Sequence, residues 1–226
     1  MNTVRWLRNG VLTITVLSFC TLSSAAYKDK MKKEDAPAPV QEQAAPAAVE
    51  PVAAAADPQT EMMAKMQEYG TPNENHKVLE SMVGSWDHTV KWWKATGTEP
   101  EVSTGTTESK WILGGRFVEG AVAGTMMGQP FEGKSVVGYD NVKKEYTSLW
   151  IDNMATGVMI SSSTYDAATK TFAEKGNFSC PIMGANMAYR GMIKINDENS
   201  YVYEMYMTDP EGKEMKSMEI AYTRKQ

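Results

Sequence analysis

The sequence predicts an all-β domain in which about ten antiparallel strands close into a barrel, preceded by short N-terminal helices. Period-two runs rich in Val, Ile, Thr, Tyr and Trp recur from residue 85 onward. Short turn segments separate these runs, and no helical segment interrupts them, which is typical of an antiparallel sheet. A sheet of this many strands in one small domain tends to close, because closure removes its exposed edges.

Residues 1–26 have the pattern of an export signal. Arg5 and Arg8 precede an apolar run, and Ser24 and Ala26 supply the small residues that favour cleavage after Ala26. The run is shorter than the roughly 20 residues of a membrane span. The sequence therefore predicts a periplasmic or secreted protein. A lipid anchor at Cys20 or an uncleaved signal is the alternative, and either would give the protein a membrane contact.

Residues 27–58 differ in composition from the rest of the chain. They are rich in Ala and contain five of the ten prolines, without apolar periodicity. Such a segment cannot bury enough surface to offset its conformational entropy, so we expect a disordered linker. The barrel domain then covers residues 59–226. If Cys20 leaves with the signal, Cys180 has no partner for a disulfide, and the domain depends on its core.

The elements of this domain follow from local patterns. Good helix formers occupy residues 60–66 and end before Pro72, and a second short helix is predicted at about 74–82. His76 lies in that second helix and is expected to be solvated. The predicted strands are 85–94, 101–111, 115–124, 130–139, 144–152, 156–165, 170–177, 185–195, 200–208 and 214–224.

Alternation along the first and last strands assigns their inward faces. Two polar residues, His88 and Arg224, share these faces with apolar side chains and should therefore lie inside the barrel. The inward sets are Trp86, His88, Val90 and Trp92 on the first strand, and Met218, Ile220, Tyr222 and Arg224 on the last.

The start of the first strand resembles a known signature. Gly84-Ser85-Trp86 is similar to the G-x-W motif of the calycin superfamily, which includes lipocalins and fatty-acid-binding proteins. In those barrels an Arg or Lys of the last strand packs across the tryptophan. The resemblance implies a calycin-like, lipocalin-like barrel in which Gly84, Trp86 and Arg224 form a structural closure at one end.

Longer stretches resemble a more specific family. The segments "KWILGGRFVEG", "MMGQPFEGKSVVGYDNVKKEYTSLWIDNMATG" and "KSMEIAYTRK" are similar to a bacterial domain of unknown function numbered fifteen seventy-nine. This resemblance extends from about residue 82 to residue 225. It supports the fold and leaves the function open, because the family carries no established activity.

The residue inventory argues against several classes of function. The sequence lacks the serine-hydrolase, zinc-protease, C-x-x-C, P-loop and dinucleotide-binding motifs, so no catalytic residues are assigned. A net charge of −5 without a Lys/Arg cluster argues against nucleic acid as a partner. Seventeen methionines raise the possibility of copper(I), yet they form no metal-binding motif with His or Cys, and no metal site is predicted.

The function that the sequence favours is binding of a small apolar or amphipathic molecule inside the barrel. The alternatives are a structural or interaction module whose barrel is filled by its own side chains and, third, an unrecognised enzyme. Asp152 and Asn153 have a second interpretation as turn residues that bond the local backbone. The candidate ligand contacts are His88, Trp92, Trp150, Asp152, Asn153, Met218 and Tyr222.

His88 could be a haem ligand, a polar anchor for another ligand, or a hydrogen-bonded wall residue. Haem-binding barrels of the calycin group carry their ligating histidine on a late strand. This chain has no histidine after His88. We therefore expect a wall residue and no bound cofactor.

Overall fold

The computed structural model of the protein describes residues 57–180, 183–209 and 211–226. The predicted signal with Cys20, and the predicted linker up to residue 56, lie outside these residues. The first helix, α1 (Pro58–Gly70), begins one residue before the predicted start of the domain. No helix of the described residues is both long enough and apolar enough to span a membrane.

The second helical segment packs on the barrel. It consists of α2 (Glu74–Lys77) and a 3₁₀ turn, Val78–Met82. Asn73 caps α2, since its side-chain oxygen accepts a hydrogen bond from the Asn75 N–H at 3.0 Å. Leu79 is fully buried, and this burial fixes the segment against the strands.

His76 is buried, so the expectation of a solvated side chain is wrong. The Asn73 N–H donates to His76 Nδ1 at 3.1 Å, which completes a reciprocal cap at the start of α2. The imidazole also lies edge-on to the Tyr139 ring, with 5.7 Å between ring centroids. Capping and aromatic packing together turn this histidine toward the barrel.

Ten strands follow, which confirms the predicted number. Their ends differ from the predicted ends by a few residues; β3, for example, starts later because Leu113, Gly114 and Gly115 have positive φ and form the preceding turn. The strands are β1 (Gly84–Trp92), β2 (Glu101–Ile112), β3 (Phe117–Met126), β4 (Gln129–Asp140), β5 (Glu145–Asp152), β6 (Met159–Asp166), β7 (Thr171–Cys180), β8 (Ala185–Asp197), β9 (Ser200–Thr208) and β10 (Glu214–Arg224).

The strands form a closed, up-and-down antiparallel barrel, as predicted. Each strand pairs with its neighbours in sequence, and β1 pairs with β10 to complete the ring. In that seam Trp86 lies opposite Arg224, and Trp92 lies opposite Met218. A bulge in β10 between Lys216 and Met218 shifts the register against β9.

The main hydrophobic core lies at one end of the barrel, here named the closed end. Trp86 and Phe172 are fully buried there, and the segment 74–82 covers them through Leu79. The Tyr146 hydroxyl donates to the Asn75 carbonyl at 2.8 Å and so ties β5 to α2. The other end carries the connections 93–100, 127–128 and 153–158 and is named the open end. The buried members of the core are Leu79, Trp86, Val118, Tyr146, Phe172, Ile195 and Tyr201.

Candidate functional site

The closed end is built around Trp86. The indole is fully buried, donates from Nε1 to the Met82 carbonyl at 3.0 Å, and meets the Tyr201 ring edge-on at 4.8 Å between centroids. The Arg224 guanidinium lies over the indole, with Cζ 4.1 Å from the ring centroid. This geometry is that of a cation–π contact across the seam between the first and last strands.

Backbone groups hold Arg224 in place. Its Nη1 donates to the Val83 carbonyl at 2.7 Å, and its Nε donates to the Glu198 carbonyl at 2.8 Å. Gly84 has a φ of +126°, and a Cβ at this position would overlap the guanidinium. A glycine is therefore needed here both for the backbone angle and for the room that Arg224 occupies.

His88 is a buried wall residue on β1, two residues beyond Trp86 in the direction of the open end. Its Nδ1 lies 3.0 Å from Thr107 Oγ1, and its Nε2 lies against the backbone of Gly105 on the adjacent strand. Desolvation lowers the pKa of His88, and the Asp87 charge opposes that shift. This arrangement is typical of a neutral, hydrogen-bonded imidazole rather than of a haem ligand. Within the described residues, no three His, Cys, Asp or Glu side chains are grouped to hold a metal ion.

A second polar group lies across the barrel on β5, β6 and β7. Glu174 is 8% exposed, and its Oε1 accepts a hydrogen bond from the Ser161 hydroxyl. Ser148 Oγ lies 2.5 Å from Ser161 Oγ and 3.3 Å from the same carboxylate oxygen. The three residues point inward, because Ser148 lies opposite Ser161 in the ladder and Glu174 lies opposite the inward Ser163.

The second carboxylate oxygen of Glu174 is buried without a hydrogen-bond partner among the described residues. It occupies the space beside Gly191 on β8, where a Cβ would overlap it. Burial, and then the nearby Glu174 charge, raise the pKa of Tyr189 to about 12. The same two causes raise the pKa of Tyr203. The middle of the barrel therefore contains a buried acceptor that is only half satisfied.

Between Glu174 and the open end, the inward side chains are large and mostly apolar, yet they remain partly exposed. Trp150 stacks on Phe131 with 6.2 Å between ring centroids and lies over Gly133 of β4. Trp92 and Met218 face each other across the seam. Tyr222 lies lower, where it stacks on Tyr201 at the closed end. The partly exposed inward residues near the open end are Val90, Trp92, Phe131, Trp150, Met159, Phe178, Met187 and Met218.

Asp152 and Asn153 have local bonding roles at the rim. Asp152 Oδ2 accepts from Trp150 Nε1 at 2.8 Å, and its Oδ1 accepts from the backbone N–H groups of Met154 and Ala155. Asn153 accepts from the Glu132 N–H at 3.2 Å and donates to the Pro130 carbonyl. Asp152 thus orients the Trp150 ring, and Asn153 ties the turn to β4.

Two pockets lie outside the barrel. One, of about 270 Å³, is at the closed end beside Asn141, whose side-chain amide donates to the Tyr69 and Thr71 carbonyls at 2.9 Å. The other, of about 440 Å³, is a groove lined by residues of α1. The polar groups of Asn141 are engaged by the chain itself, which favours a structural role for the first pocket.

The sequence interpretation missed Glu174 and its two serine partners. The signal was present, because the alternation of Phe172, Glu174, Gly176 and Phe178 places a carboxylate on an otherwise apolar face. The structure places the predicted ligand contacts in two different parts of the barrel. Trp92, Trp150 and Met218 lie toward the open end, whereas His88 and Tyr222 lie near the closed end.

Comparison with known proteins identifies the family. The chain matches the family described as "Protein of unknown function (DUF1579)" over residues 71–224, which include all ten strands of the barrel, and it belongs to that family. No curated protein matches the chain.

Solved structures with the same architecture are distant in sequence. The crystal structure of Rv2717c from M. tuberculosis is 14% identical, with a TM-score of 0.52, and the match covers 69% of this chain and all of that one. A redesigned β-barrel, b11L5F_LGL, is 13% identical with a TM-score of 0.35, covering 66% and 96%. The redesigned barrel mFAP1, bound to DFHBI, is 14% identical with a TM-score of 0.35, covering 65% and 98%. At 14% identity, the similarity to Rv2717c shows that the two chains share a fold and nothing more specific.

Proposed function

We propose that the open half of the barrel binds one small apolar or amphipathic molecule. The observation that carries this proposal is the gradient of burial along the inward face. Inward side chains at the closed end, such as Trp86 and Phe172, are fully buried, whereas Trp92, Trp150 and Met218 are partly exposed. Partly exposed apolar side chains on the inside of a barrel are surface that a ligand can cover.

The composition of this inner surface suits such a ligand. Methionine adapts to irregular apolar shapes, and tryptophan offers a large flat contact area. Below them Glu174 and the two serines supply polar contacts that could orient a guest. A pocket with apolar walls and a few polar groups is the usual form of a small-molecule site.

The proposed site can be tested by filling the interior of the barrel, here called the lumen, with a larger side chain. Ile220 lies inward between Val90 and Tyr203, and Ile220→Trp adds bulk to the proposed site. Ala221→Trp is the matched control, because Ala221 is exposed on the outer face of the same strand. An environment-sensitive fatty probe should bind wild type and the Ala221→Trp variant alike, quench or shift tryptophan emission, and bind Ile220→Trp at least about tenfold more weakly.

The same titration also tests the alternative function, in which the barrel is filled by its own side chains and binds no ligand. If lipids, haem and aromatic probes all fail to bind the wild-type protein saturably, the inward residues serve packing, and a structural or interaction module is the better interpretation. Equal binding to both tryptophan variants would place the probe outside the lumen.

We further propose that the barrel acts in the periplasm or outside the cell. The support is the pattern of residues 1–26, with two arginines before an apolar run and small residues at 24–26. Intact-mass analysis of the protein from its native host should show a chain that begins at Tyr27. A diacylglycerol-modified chain that begins at Cys20 would instead place the barrel on a membrane.

A further inference from the structure

We propose that the ligand carries a positively charged nitrogen, and that Glu174 is the residue that recognises it. This inference rests on the proposed binding function of the barrel. It starts from a buried carboxylate, 8% exposed, on the inward face of β7. A charge at such a position is costly unless hydrogen bonds or an opposite charge compensate it.

The chain compensates one of the two oxygens. The Ser161 hydroxyl donates to Oε1, and Ser148 Oγ lies 3.3 Å from the same atom. Oε2 accepts no hydrogen bond within the described part of the chain, and none of the ion pairs there involves Glu174. Two hydroxyls face one oxygen and none donates to the other, which leaves a defined position for a further donor; the described residues place no positive charge there.

The surrounding strand makes room for the carboxylate. Gly191 lies opposite Glu174 in the β7–β8 ladder, and any side chain there would overlap Oε2. The hydroxyl-bearing rings of Tyr189 and Tyr203 lie near enough for the Glu174 charge to contribute to their raised pKa values. A hydrogen bond with the Glu174 side chain also contributes to both shifts. Both tyrosines stay neutral at physiological pH, so their hydroxyls can donate to the carboxylate but bring no positive charge to it.

The charges along the inward face favour a cation. Among the described strand residues, the inward face carries its arginine, Arg224, at the closed end, where the guanidinium is engaged with Trp86 and two carbonyls. Toward the open end the same face carries Asp152 at the rim of β5. A protonated amine on an apolar tail would place its charge beside Glu174 and its tail against Trp92 and Trp150.

The experiment compares three ligands that share one tail. Decylamine, decanol and decanoate are titrated calorimetrically into the full chain at neutral pH, in about 0.15 M salt so that long-range attraction to the acidic protein is screened. Decylamine should bind about tenfold or more tightly than decanol, and decanoate should bind most weakly. Glu174→Gln should remove the preference of the amine over the alcohol while leaving decanol affinity within about twofold.

Glu119→Gln is the matched control. Glu119 faces outward on β3, with Lys110 and Lys134 at 3.6 and 3.9 Å, so its substitution changes the net charge equally without touching the lumen. It should retain the amine preference. A melting curve adds a readout without ligand: Glu174→Gln should raise the melting temperature, because an uncompensated buried charge is removed.

The outcomes distinguish the proposed role of Glu174 from the proposed binding of a ligand in the lumen. Equal affinity of the wild type for all three ligands, or a preference for decanoate, overturns the role of Glu174 and leaves lumen binding in place. The same holds if Glu119→Gln abolishes the preference as fully as Glu174→Gln does. Failure of all three ligands to bind overturns the amine preference, and lumen binding is then decided by the wider set of lipid, haem and aromatic probes. If the Glu174→Gln variant does not fold, the wild-type comparison still tests the proposal, because a wild type without an amine preference overturns it.

Discussion

At the closed end Trp86 is fully buried, whereas the inward tryptophans of the open end, Trp92 and Trp150, remain partly exposed. The two regions are built from the same alternating strands, and what differs is what lies over them. The segment 74–82 inserts Leu79 between the strand ends and seals one side. The open end has connections of 93–100 and 153–158 instead. The same strand pattern therefore provides a core at one end and an accessible inner surface at the other.

The polar residues differ between the two ends as well. At the closed end Arg224 donates to two backbone carbonyls and lies over the Trp86 ring. In the middle of the barrel Glu174 keeps one oxygen without a donor among the described residues. Satisfied polar groups stabilise a fold, whereas an unsatisfied one is a cost that a native structure retains for a reason. This contrast supports the proposal that the closed end stabilises the fold and that the open half of the barrel binds a ligand.

The sharpest test of this division compares two tryptophans on one strand. Trp86→Ala should cost about 3–5 kcal/mol or prevent folding, because a fully buried indole is replaced by a cavity. Trp92→Ala should cost about 1 kcal/mol, because its ring is already partly exposed. Denaturant melts of the two variants give the comparison. Similar losses at both positions would mean that the open end is as tightly packed as the closed end.

The seam between β1 and β10 can be tested through Arg224. Arg224→Ala should cost about 1–3 kcal/mol, because it removes the contact with Trp86 and leaves the Val83 and Glu198 carbonyls without their donor. Arg224→Lys should lie between the alanine variant and wild type, since lysine keeps the charge but loses the planar stack. Denaturant midpoints at constant slope measure both. An alanine variant as stable as wild type would contradict the proposed closure.

Gly84 provides the control for that seam. Gly84→Ala should cost about 1–3 kcal/mol, because an alanine at φ +126° is strained and its methyl group meets the guanidinium. In the double variant with Arg224→Ala the two losses should be less than additive, since truncation of the arginine leaves room for the methyl group. Full additivity, measured by the same melts, would show that Gly84 serves the backbone angle alone.

Much of this architecture could be predicted from the sequence, because it depends on local signals. Alternation and turn residues indicated ten strands, and the inward face of β1 follows from period two alone. The environment of Glu174 could not be predicted in this way. Its contacts with Ser148 and Ser161 depend on the register of three strands, which turn geometry and packing determine together. His76 was misjudged for a related reason, since its burial depends on a cap and on Tyr139, 63 residues away in sequence.

The smallest expected effect concerns the pH dependence of stability. Burial lowers the pKa of His88 below its ordinary value of 6.5, and burial together with the Arg116 charge lowers the pKa of His76. The unfolded chain then binds more protons than the native state as the pH falls below 6.5, so the free energy of unfolding should decrease there. Carboxylates such as Glu214, whose pKa is lowered from 4.5 by its hydrogen bonds with Arg190, add their losses only below that value. The interval between about pH 6.5 and 5 therefore isolates the histidines.

His88→Asn tests the part that belongs to the barrel interior. Asparagine retains a polar atom near the position of Nδ1, facing Thr107, but does not titrate in this range. Denaturant melts at pH 7.5, 6.5 and 5.5 should show a progressive loss of stability in wild type and a smaller loss in the variant, with the remainder due to His76. Identical pH slopes in the two proteins would mean that His88 accepts its proton in the native state. The imidazole would then have access to water, and the open lumen would extend down to His88, closer to Trp86 than the burial gradient places it.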